Sequence, residues 1–73
     1  MNTALQKGIY QHYKGNKYKV LSTALHSETL EKIVVYQALH GDLQIWVRPL
    51  EMFLEEIEID GVKRKRFEFI GLI

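Results

Sequence analysis

The sequence predicts a small all-β domain, either an SH3-like barrel or a strongly bent antiparallel sheet of five to six strands with one short helical turn. Three observations carry this prediction. Strand-sized apolar segments recur along the chain, and three joints between them hold glycine in a two-residue turn signal: Gly15-Asn16, Gly41-Asp42 and Asp60-Gly61. The β-branched and aromatic run Ile33-Val34-Val35-Tyr36 favours a pleated strand. Helical spacing of apolar residues is confined to one stretch after Pro49. The SH3-like form is preferred by analogy, since a helical turn before the last strands is a familiar feature of such barrels.

Residues 1–73 read as a single domain, with 1–6 expected to be flexible. Strands over 8–14 and 17–25 flank Gly15-Asn16. A two-residue turn there would set Tyr13 opposite Tyr18, His12 opposite Lys19 and Gln11 opposite Val20, with Tyr13, Tyr18 and Val20 facing the core. Residues 26–32 resemble a helix start, but the capping-box spacing fails because Leu30 lies three residues after Ser27. One helical turn or an irregular loop is expected there, then a strand over about 32–39.

Gly41-Asp42 suits a hairpin turn pairing Ala38 with Ile45, Gln37 with Trp46 and Tyr36 with Val47. By alternation Leu43, Ile45 and Val47 then point inward, while Trp46 and Arg48 share the more polar face with Gln37 and Gln44. Pro49 fits the first position of a helix, where its missing N–H costs nothing. Leu50, Phe53, Leu54 and Ile57 continue at helical spacing, so a short helix is expected over 49–55. Asp60-Gly61 closes a third hairpin with Glu58 facing Lys63 and Glu56 facing Lys65. Phe67 and Phe69 continue the Lys63/Lys65 face, which predicts a reversal of facing near Lys65-Arg66, or partial cover on both sides.

The 73 residues are 47% hydrophobic, with a net charge of +1 and no cysteine. That excludes a disordered chain, a disulfide scaffold and a thiolate metal site, and argues against a general polyanion binder. No run approaches the length of a membrane span and no signal-peptide core follows Met1, so no membrane association is expected.

The segments KGIYQHYKGNKYKVLSTALHSETLE, VVYQAL and WVRPLEMF together resemble a bacterial family known as domain of unknown function 1653, over about residues 7–70. The resemblance implies a bacterial, cytoplasmic protein with a small β-rich fold. It supplies no catalytic residues to carry over.

Candidate chemistry is sparse. His12, His26 and His40 lie fourteen residues apart, a spacing that brings no pair together on one strand or helix. Glu28 and Glu31 would join them only through tertiary folding, so no metal or cofactor is expected. An enzyme using His/Glu acid–base residues ranks third among functions, because Glu28, Glu31 and Glu51 carry no distinguishing pattern. The basic run Lys63–Arg66 suggests nucleic acid, a disfavoured second function because facing glutamates neutralise the strand. The leading expectation is a non-enzymatic interaction module, a monomer or weak homodimer, binding an unidentified protein, peptide or small ligand. Its expected contact residues are Trp46 and Arg48, with Tyr10, His12 and Gln37 beside them, since Trp and Arg are enriched in binding hot spots. The alternative is a buried Trp46 latched under Arg48.

Overall fold

The computed structural model describes residues 5–72. Its elements are β1 (Gly8–His12), β2 (Lys17–Leu25), β3 (Lys32–Ala38), β4 (Ile45–Pro49), α1 (Leu50–Phe53), β5 (Glu56–Ile59), β6 (Val62–Lys65) and β7 (Phe67–Gly71). One antiparallel sheet runs β4-β3-β2-β1-β7, and β5 pairs with β6 as a separate hairpin. The fold is all-β with one helical turn, as the sequence predicts, and has a seventh strand. The large sheet does not close into a barrel: β4 and β7 are its two edges.

The sheet curls strongly. At ~4.8 Å per strand, β3 and β7 would stand roughly 14 Å apart if it were flat. Instead the rings of Tyr36 on β3 and Phe67 on β7 lie 5.6 Å apart. Arg48, on the far edge strand β4, brings its guanidinium 5.6 Å from the centroid of the same Phe67 ring. A register shift against β3 between Val20 and Ser22 marks a bulge in β2, which sharpens the bend. Tyr10, Val20, Val34, Tyr36, Leu50, Phe53 and Phe67 form the core, with Leu5, Tyr18 and Phe69 packed against it. The helical turn covers the concave side, and its Phe53 stacks on Phe67 at 4.2 Å with the rings 3° from parallel.

The first hairpin turns at the expected glycine in a different register. His12 N–H donates to the Asn16 carbonyl (2.8 Å) and Gly15 N–H to that of His12 (2.7 Å). The loop is therefore Tyr13-Lys14-Gly15, with Gly15 at φ 109°. Tyr10 pairs with Tyr18 and Gln11 with Lys17, which corrects the expected Tyr13–Tyr18, His12–Lys19 and Gln11–Val20 pairs. The expected register would have turned Gln11 into the core, where an amide without partners is costly. The observed one places Tyr10 there.

The second hairpin slips by one residue. Ala38 N–H donates to the Gln44 carbonyl (2.9 Å), closing a loop over residues 39–43 in which Gly41 and Leu43 both have positive φ. Tyr36 now opposes Trp46, Val34 opposes Arg48 and Gln37 opposes Ile45. A one-residue slip turns a strand over. Ile45 and Val47, expected inside, are exposed on the convex side, and Leu43 is exposed in the loop. Trp46 and Arg48 instead share the concave side with Tyr36 and Val34. The five-residue loop sets this register, and on the concave side Arg48 meets a tyrosine hydroxyl and an aromatic ring.

The third hairpin matches its expectation: Glu58 pairs with Lys63 and Glu56 with Lys65. Asp60 (φ 52°) and Gly61 (φ 79°) both adopt the left-handed conformation that a type I′ turn requires. Facing reverses at Arg66, as expected. Its N–H donates to the Glu55 carbonyl and its own carbonyl accepts from Tyr13 N–H, both at 3.0 Å. The chain thus passes from the small hairpin into the large sheet, and Phe67 enters the core while Lys63 and Lys65 stay exposed.

Three smaller expectations change. Pro49 closes β4 opposite Ile33 and caps α1 from outside, so the helical turn begins at Leu50. Leu54 and Ile57 fall outside the helical turn. Of the segment 1–6 expected to be flexible, residues 1–4 lie outside the described residues; Leu5 packs on the core, and the Gln6 carbonyl accepts from the Tyr10 hydroxyl at 2.7 Å. Residues 26–31 form the expected irregular loop, held by His26, whose Nδ1 accepts from the N–H of Glu28 (3.1 Å) and Thr29 (3.4 Å).

Candidate functional site

The register of β4 decides what the concave lip presents. Arg48 Nε donates to the Tyr36 hydroxyl at 3.3 Å, and its guanidinium lies over Phe67. A neutral hydroxyl orients the charge without cancelling it. Trp46, two residues earlier on the same face, is 53% exposed because β4 is the last strand and nothing in the sheet extends past it. The expected pair therefore sits together beside the core, on the side opposite to the one expected.

A second group joins them from other strands. The Tyr18 ring stands edge-on to Tyr36 (5.5 Å), Phe67 (5.6 Å) and His40 (5.6 Å). His12 meets Phe67 edge-on at 4.9 Å and Tyr18 at 6.4 Å. Burial, and then the charges of Arg66, Arg48 and Lys14, hold the His12 imidazole below its ordinary pKa of 6.5. Arg66 donates from Nη2 to Glu55 Oε1 at 2.9 Å, and its Nε is buried without a hydrogen-bond partner among the described residues.

The other expected contact residues lie elsewhere. Tyr10 is buried, and burial raises its pKa. Gln37 faces the convex side and donates from Nε2 to the Leu43 carbonyl at 3.0 Å. Sequence reading missed Tyr18, His40, Arg66 and Phe67. A signal for His40 was present, since it continues the inward alternation of Val34, Tyr36 and Ala38. Arg66 and Phe67 reach the site only through the curl of the sheet.

A cleft of about 570 Å³ opens between the β5–β6 hairpin and the end of β1, with His12, Tyr13, Lys63, Arg64 and Lys65 among its walls against Glu56 and Glu68. His26 lies at the opposite end of β2 from Tyr18, away from His12 and His40. Among the described residues no group of three or more His, Asp or Glu is placed to hold a metal ion, and no helix is long and apolar enough to cross a membrane. Glu28, Glu31 and Glu51 are exposed on a loop and on α1.

The model of the family described as "Protein of unknown function (DUF1653)" matches residues 8–69. The chain belongs to this family. A crystal structure of a DUF1653 protein from Bordetella bronchiseptica is 31% identical, with a TM-score of 0.86 over 94% of this chain and 91% of that one. No curated protein matches the chain.

Proposed function

We propose that this DUF1653 protein is a non-enzymatic binding module of the bacterial cytoplasm. It takes a peptide, a protein surface or a small ligand on the concave lip built by Trp46 and Arg48, with His12, Tyr18 and His40 beside them. We read the curled sheet as an SH3-like barrel left open between β4 and β7, acting as a monomer or weak homodimer. The observation that supports binding is the pairing of a half-exposed Trp with an Arg already oriented by Tyr36 and Phe67. Such preorganisation lowers the ordering entropy that a ligand must overcome, and these two residue types dominate binding hot spots.

Selection from a displayed random-peptide library tests this reading. Peptides enriched on the wild-type protein should lose binding to Trp46→Ala and to Arg48→Gln. Enriched peptides that bind both variants as well as wild type would refute it. A nucleic-acid role ranks second. The cleft beside Lys63, Arg64 and Lys65 favours it, while the Glu56–Lys65 and Glu58–Lys63 pairs reduce the charge available for phosphates.

A further inference from the structure

Positive charge converges on one aromatic ring. The Arg48 guanidinium lies over Phe67, His12 meets that ring edge-on, and Arg66 precedes it in the chain. One carboxylate, Glu55, pairs with Arg66, while the hydrogen-bond partner of Arg48 Nε is the neutral Tyr36 hydroxyl. A guanidinium carries five donors in a planar fork, so one bond at Nε leaves the terminal nitrogens to present a matched pair. The walls around this point are the rings of Tyr18, Tyr36 and Phe67, which keep the local dielectric low and strengthen any charge-assisted bond.

From this convergence we infer that Arg48 and His12, with Arg66 behind them, bind the oxyanion of a small ligand, a carboxylate or phosphate group, beside Phe67. The inference rests on the concave lip being the binding surface, and it names the chemistry recognised there. Arg48 meets two of the anion's oxygens with its terminal nitrogens. The His12 ring accepts the Lys14 N–H at Nδ1 (3.2 Å), which leaves Nε2–H to donate the next hydrogen bond and protonation to add charge, and Arg66 contributes field from its Glu55-anchored position. Trp46 then packs the ligand's apolar body.

Binding is linked to proton uptake. The cations facing His12 are Lys14 from the β1–β2 loop, Arg48 from β4 and Arg66 ahead of β7, with Tyr18 opposite on β2. On the cleft side stand Lys63, Arg64 and Lys65, countered by Glu56 and Glu68. An anion at Arg48 offsets the first group, so it raises the His12 pKa, and affinity grows as the pH falls through the imidazole range.

The test is a two-dimensional NMR titration of the full chain with inorganic phosphate and, separately, benzoate, at constant ionic strength balanced with chloride. The expected result is saturable shifts at Arg48 Nε–H and the His12 ring, with Kd on the order of millimolar. A rise in the His12 pKa accompanies saturation. Arg48→Gln weakens binding roughly tenfold or more, as loss of a bidentate charged contact implies, and Arg48→Lys weakens it less. The double variant Lys63→Gln/Lys65→Gln stays within about twofold of wild type, because Glu58 and Glu56 across the hairpin already offset those exposed charges. Saturation by benzoate but not phosphate assigns the site to carboxylates, and the reverse assigns it to phosphates.

Shifts linear in both anions would overturn the inference. So would binding retained by Arg48→Gln, or lost in the lysine variant. Should Arg48→Gln lose its dispersed amide spectrum, the Arg48→Lys affinity and the wild-type His12 pKa decide. Selected peptides without any carboxylate that need Trp46 yet tolerate Arg48→Gln would remove the oxyanion site and leave the surface reading standing. Absence of both peptide and anion binding would remove both.

Discussion

Removal of the Trp46 ring separates an exposed contact residue from a structural latch. A covered aromatic side chain hides about 150–250 Å², so at 53% exposure Trp46 shields roughly 100 Å², equivalent to ~2.5 kcal/mol at ~25 cal/mol per Å². Alanine keeps the share of the Cβ, and a compact denatured chain already hides about 10–40% of such area, which lowers the expected loss to roughly 1–1.5 kcal/mol. A buried latch would cost about 3–5 kcal/mol. Urea unfolding of Trp46→Ala followed by far-UV circular dichroism, beside acrylamide quenching of the wild-type protein, measures both quantities. Trp46 is the single tryptophan, so the quenching signal is its own. A loss above about 3 kcal/mol together with a quencher-inaccessible ring would refute the exposed-lip geometry and the function drawn from it.

Other consequences are equally open to measurement. Phe67 is 4% exposed and stacked on Phe53, so Phe67→Ala should cost about 3–5 kcal/mol out of a total near 4–11 for a chain of this size. A cooperative thermal transition within a few degrees of wild type would contradict this. At Gly8, an added Cβ would lie 2.6 Å from the Gly71 carbonyl oxygen and 2.7 Å from a Phe69 ring carbon, with φ at +148°. Gly8→Ala should therefore open the β1–β7 seam, seen as faster amide exchange at Tyr10 and Phe69 than in wild type. His12 is held below its ordinary pKa of 6.5, so the unfolded chain takes up the proton more readily. The stability it contributes is complete above about that pH and is lost as the pH falls through the lower folded value. His12→Gln should flatten denaturation midpoints across that window, and an unchanged slope would show that other groups set it. Single-stranded and duplex oligonucleotides should bind only weakly at physiological salt. Micromolar or tighter binding by anisotropy, abolished by Lys63→Gln/Lys65→Gln, would promote the nucleic-acid reading.

What the sequence disclosed and what it hid divide along sequence distance. The β5–β6 hairpin was legible down to its pairs, because Asp60-Gly61 fits a two-residue turn and Glu56 and Glu58 meet Lys65 and Lys63. The other two hairpins turn at the glycines read from sequence, but their loops are longer than two residues. Their registers, set by packing, move Tyr10 inward in one and turn β4 over in the other. That Trp46 and Arg48 share a face followed from alternation alone. Which face it was depended on one residue of slip, which no local pattern specifies. The partners of Arg48 were hidden more deeply, since a β7 residue reaches β4 only when a whole sheet curls.

The place of β7 also governs how the chain comes into being. β1 lies between β2 and β7, and Phe67 supplies the ring on which Phe53, Tyr36, Tyr18, His12 and Arg48 converge. Until that strand has left the ribosome, the earlier strands can pair as hairpins but have no centre to close around. The domain therefore folds as an all-or-none event gated by its most distant contacts. Nascent chains stalled before residue 67 should stay protease-sensitive, and those released just beyond β7 should become resistant.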